Sequence, residues 1–155
     1  VRRYLADLID PGPDGWRAAL RGRSSVLGIV AHPAAIERLR RVHGVHAAGL
    51  SAAASRGFDL VALADPMPEL YVEEEQWHDL SCSLALRDGP EPNLRVRLPK
   101  EVWPFAVVEG RGQGLIGDAL LAADLLESAE PRAVAAGAAC LGELLARWQD
   151  RRGCA

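Results

Sequence analysis

Five residues carry the chemistry this sequence can offer. Gly49 opens a small-residue helix whose first backbone N–H groups can hold an anion, and Ser51 stands in the first turn, where a hydroxyl caps backbone donors. Glu69 begins the apolar phrase Glu69-Leu70-Tyr71-Val72. Arg95 and Arg97 alternate with Leu94, Val96 and Leu98, so a period of two places both guanidiniums on one strand face and the aliphatic side chains on the other. Gly49, Ser51, Glu69, Arg95 and Arg97 are therefore the candidate ligand-binding residues. A small anion would suit Gly49, Ser51 and Arg95.

Other reactive types fall short of a site. His43 and His46 have the spacing of a helical metal pair, but Gly44 between them favours a bend, so exposed loop histidines are expected. Cys82, Cys140 and Cys154 are odd in number, widely separated and without a C-x-x-C pair, which points to free thiols, with Cys82 and Cys140 packed against apolar surroundings. Gly110-Arg111-Gly112-Gln113-Gly114 has the glycines of a phosphate loop without its Lys-Ser/Thr, and reads as a hinge. No nucleophile-elbow sequence is present. No catalytic residue, metal-ligand set or cofactor is assigned.

The elements that position these residues read as a mixture of helices and strands. Short helices are expected over 2–8 and 15–20, split by Pro11 and Pro13. A buried strand follows over 26–30. Pro33 suits a first helical position, and Ile36 and Leu39 face that helix inward. After Gly44 come a short strand over 45–47 and the helix 50–56, ended by Gly57. Strands are expected over 58–63 and 69–72, joined by a turn rich in proline. The acidic helix 73–80 points Trp77 and Leu80 to the core and Glu73, Glu74 and Glu75 to water. Residues 82–86 alternate apolar with small and read as a strand before an Asp88-Gly89-Pro90 turn. The strand 94–98 has the cleanest alternation in the chain, with one core face and one positive face. A further strand is expected over 103–108. Helices over 116–127 and 131–149 close the chain, the last with Val134, Ala138, Leu141, Leu145 and Trp148 on one stripe, and residues 151–155 are expected to fray.

The 155 residues fit one domain, 1–155, with its core over about 24–150. An apolar share of 49% with 25% charged residues is that of a folded chain rather than a disordered one. A net charge of -3 argues against unaided binding to nucleic acid. The absence of a membrane-length apolar run and of a signal-like N-terminus points to a cytoplasmic protein.

The order of several phrases resembles the C-terminal region of abortive-infection (AbiEi-like) antitoxins of type IV toxin-antitoxin systems and related bacterial transcriptional regulators. The phrases are Ala48-Gly49-Leu50-Ser51-Ala52-Ala53, Pro68-Glu69-Leu70-Tyr71-Val72, Pro92-Asn93-Leu94-Arg95-Val96-Arg97-Leu98-Pro99, and Asp118-Ala119-Leu120-Leu121-Ala122-Ala123-Asp124-Leu125-Leu126 followed by Pro131-Arg132. Together they span roughly the last two thirds of the chain. The resemblance implies an α/β (α+β) fold of nucleotidyltransferase type, a small mixed sheet flanked by helices with a C-terminal helical pair. Nucleotidyl transfer on that fold needs two carboxylates on alternate positions of one strand. Aligned on Leu70-Tyr71-Val72, the pair falls on Met67 and Glu69, and Met67 cannot hold magnesium, which requires oxygen ligands. Arg95 and Arg97 stand where a third acid is expected.

The sequence therefore points to a noncatalytic regulatory or antitoxin-like module acting through a protein partner or as a homodimer. DNA binding is expected only through a segment not evident in this chain, and no membrane contact is expected. Two alternatives come from other classes: a magnesium-dependent nucleotidyltransferase using Glu69 with Asp65, and a domain that binds a small anion.

Overall fold

A computed structural model describes residues 23–55, 67–100 and 117–153. The expected helices over 2–8 and 15–20, the strands over 58–63 and 103–108, the 110–114 hinge, Asp65 and Cys154 lie outside these residues. The described chain forms an α/β arrangement around a mixed sheet. In order the elements are β1 (Ser24–Val30), α1 (Pro33–Leu39), β2 (His46–Ala47), α2 (Gly49–Ser55), β3 (Glu69–Tyr71), α3 (Glu74–Ser83), β4 (Arg87–Asp88), β5 (Leu94–Pro99), α4 (Asp118–Leu126) and α5 (Pro131–Gly153).

The five strands lie in the order β2-β3-β5-β1-β4. The strand with the cleanest alternation, β5, is at the centre. It pairs antiparallel with β1, from Ser24 opposite Pro99 to Ile29 opposite Leu94. On its other side it runs parallel to β3, with Glu69 beside Arg95 and Tyr71 beside Arg97. Alternation then sorts the side chains. Leu70, Val72, Leu94, Val96 and Ile29 join Ile36 and Leu39 of α1 in one buried cluster, with Trp77 and Leu80 of α3 packed against it. Across the sheet Tyr71 packs with Ala52 and Ala53 of α2 and with Leu120, Leu121 and Leu125 of α4. The sheet is thus a middle layer with helices on both faces.

Local chemistry explains the element boundaries. Pro33 occupies the start of α1, as expected, and the His32 ring accepts the Ala34 N–H at 3.2 Å as its cap. Asn93 pins the start of β5 to β1, accepting from the Ala31 N–H at 2.9 Å and donating to the Ala31 carbonyl at 2.8 Å.

Several expectations are corrected. Residues 82–86 are not a strand: α3 continues to Ser83 and closes with Ala85 at φ 51. The Leu86 N–H reaches the Ser81 carbonyl at 2.9 Å and the Ala85 N–H reaches Cys82 at 3.3 Å. This is a helix-ending turn made without glycine. It leaves Cys82 exposed rather than packed. Asp88, read as a turn, belongs to β4, opposite Ile29. On α5 the buried line is Ala133, Gly137 and Cys140, while Ala138 is exposed. The reason is proximity: a Cβ on Gly137 would stand 2.9 Å from the Ala122 carbonyl oxygen, so only the smallest side chains fit against α4. The helix also runs to Gly153, past the expected fraying point. Among the described residues no helix is long and apolar enough to cross a membrane.

Candidate functional site

On the face of the sheet that meets α2 and α4, alternation places Glu69 and Tyr71 of β3 beside Arg95 and Arg97 of β5. Helix α4 lowers Asp124 onto them, and Glu127 follows one turn later on the same side. Arg23, just before β1, reaches in from the far edge.

Asp124 is the hub of the resulting network. Its side chain is fully buried. Oδ1 accepts the Tyr71 hydroxyl at 2.7 Å and a guanidinium N–H of Arg23, and Oδ2 accepts the Gly49 N–H at 3.0 Å. Glu127 bridges the two arginines, accepting from Arg23 at 2.5 Å and from Arg97 at 2.9 Å. Arg97 donates its Nε to Glu69 at 2.5 Å, and Arg95 approaches the other oxygen of Glu69 at 3.9 Å. Burial opposes charge on Arg97, but Asp124 and Glu69 outweigh it and hold the guanidinium protonated above its ordinary value. Arg23 behaves the same way, with Asp124 the strongest opposing charge. The Tyr71 hydroxyl is pushed up by burial first and by Asp124 second, so it stays a donor.

The five expected residues are brought close together, though their groups serve one another. Gly49 offers its N–H as expected of an anion-holding turn, and the anion is the protein's own Asp124. Gly49 has φ 49, and a Cβ there would collide with the Glu69 carboxylate. Ser51 reaches from its helix to the sheet: its Oγ accepts the Glu69 N–H at 3.1 Å and so ties α2 to β3. Glu69 is buried, 7% exposed, and paired with Arg97. The face expected to be positive is positive only at Arg95, whose side chain is 44% exposed; Arg97 is buried among acids.

Sequence reasoning missed Arg23, Tyr71, Asp124 and Glu127. The signal for one was present: Asp124 interrupts the run Ala119 to Leu126 as its only charged residue. A carboxylate inside an apolar helix face has to find partners when that face is buried. His46 is half-buried, and its imidazole is pushed down by burial and by the neighbouring charge of His43. Among the described residues no group of three or more His, Cys, Asp or Glu is placed to hold a metal ion.

Beside the network a cavity of about 720 Å³ opens between β1, β5 and the turn joining α4 to α5. Arg97 and Glu127 form its polar wall, and Val26, Leu126 and Val134 form much of its apolar wall. Comparison of the chain with protein-family models, curated proteins and solved structures gives no match.

Proposed function

We propose that this chain is a noncatalytic regulatory module of nucleotidyltransferase-like architecture, similar to the antitoxin portion of a bacterial transcriptional regulator, that acts through a protein partner or through self-association. The observation that carries this reading is the 2.5 Å pair between Glu69 and Arg97. A strand carboxylate used for metal chemistry needs free oxygen lone pairs toward the ion. Here a buried guanidinium takes that place, and Asp124 fills the anion position at Gly49. Both features suit a fold kept for its shape.

The test is thermal unfolding of the chain with magnesium and each common nucleoside triphosphate, together with sedimentation over a range of protein concentrations. The reading expects no nucleotide shift and a mass that rises with concentration or on mixing with the product of an adjacent gene. A magnesium-dependent rise in melting temperature, lost in Glu69→Ala, would overturn it in favour of the transferase. A ligand at about a hundred times its dissociation constant adds roughly 2.7 kcal/mol, a shift of a few degrees.

A further inference from the structure

We propose that the cavity beside the ion network binds a small, uncharged aliphatic molecule carrying an amide-like pair, a carbonyl acceptor next to an N–H donor. The proposal goes beyond the regulatory reading and stands without it. At about 720 Å³ the cavity lies within the range of small-molecule sites, roughly 300–1,000 Å³.

Its polar wall is unfinished. Arg97 Nε and Nη1 are taken by Glu69, Glu127 and Asp124, while Nη2 has no partner among the described residues. The Arg97 side chain is only 5% exposed, so that donor has little bulk water around it. Ser24, also lining the cavity and 8% exposed, likewise has a hydroxyl without a partner among the described residues. On the acceptor side, each Glu127 oxygen takes one arginine N–H and keeps a second lone pair. A carbonyl at Arg97 Nη2 and Ser24, with its N–H toward Glu127, completes the wall.

Charge decides against an ion. Glu69, Asp124 and Glu127 face Arg23, Arg97 and Arg95, so the network is balanced. A charged ligand would lose its hydration with no opposite charge to receive it. The remaining wall decides the rest of the ligand. Val26, Leu126 and Val134 present aliphatic surface, and among the described lining residues no aromatic ring is present for a flat base to stack on.

The test is a two-dimensional amide NMR titration of the whole chain with N-methylhexanamide, hexanoate and hexylammonium as matched probes. The expected result is a saturable shift of the Val26, Ser128 and Val134 signals with the amide alone, with a dissociation constant on the order of 1 mM for so small a molecule. Ser24→Ala should weaken it several-fold. Val26→Trp, at a strand position 49% exposed, should fill the cavity and abolish the shift without lowering the melting temperature. Saturation by either ion at equal or lower concentration overturns the neutral-ligand assignment. No saturable shift with any probe, or an unchanged shift in Val26→Trp, overturns the site.

Discussion

The Gly49 N–H donates to the Asp124 carboxylate at 3.0 Å across 75 residues of chain. A helix start that the sequence offers to an anion is closed by an acid from α4, the helix packed beside it on the same face of the sheet. Gly49 is held there twice, by its left-handed φ of 49 and by the Glu69 carboxylate against its Cα. Gly49→Ala should cost at least about 2 kcal/mol, from the left-handed backbone and from displacing Glu69 off Arg97. Urea unfolding measures it, and a loss below half of that would show the pocket to be slack.

Arg97→Met should be among the most damaging single changes, at about 3–5 kcal/mol, because it leaves the buried Glu69 without its close guanidinium partner and takes one of two arginines from the partly buried Glu127. Arg97→Met combined with Glu69→Gln should recover part of that loss. A double-mutant cycle reads the coupling directly. Additive losses would mean that the two charges do not depend on each other.

Gly137 and Gly142 of α5 should behave in opposite ways. Gly137→Ala pushes a methyl group to 2.9 Å from Leu125 Cβ and should destabilise by about 1–3 kcal/mol. Gly142 has open space around it, and Gly142→Ala should stabilise by about 0.5–1 kcal/mol through helix propensity. Chemical denaturation of both variants separates packing from propensity.

Ala85→Gly should raise stability by about 0.5–1 kcal/mol, since Ala85 ends α3 at φ 51, a conformation glycine adopts without the clash of a Cβ. A rise in melting temperature checks it. A fall would mean that the turn relaxes in solution.

His46 makes the stability depend on pH in a defined sense. Its pKa is pushed below the ordinary value by burial and by His43, so the unfolded chain binds the extra proton more readily. That contribution is complete above about pH 6.5, the unfolded histidine value, and is lost as the pH falls from there toward the depressed folded value. The melting temperature of the parent should drop more between pH 7.5 and 5.5 than that of His46→Gln. Equal drops would assign the acid sensitivity to other groups.

Much of the architecture was legible in sequence because it is written in short periods. The alternation of Leu94 to Leu98 marked β5, the pairing of Pro33 with Ile36 and Leu39 marked α1, and Trp77 with Leu80 marked the inward side of α3. These signals act within a few residues. Where a local pattern was ambiguous it misled: residues 82–86 alternate like a strand, yet the Ser81 carbonyl meets the Leu86 N–H and ends a helix there.

What the sequence by itself determined is which residues share a face: Arg95 with Arg97, and Leu94 with Val96 and Leu98. What only the tertiary structure decided is whom they meet. Arg97 lies 28 residues from Glu69 and 30 from Glu127, and Arg23 lies 101 from Asp124. No periodicity relates positions that far apart. Their pairing follows from the stacking of α2 and α4 on one face of the sheet, where burial makes an unpaired charge costly and so selects the packing in which every carboxylate finds a donor.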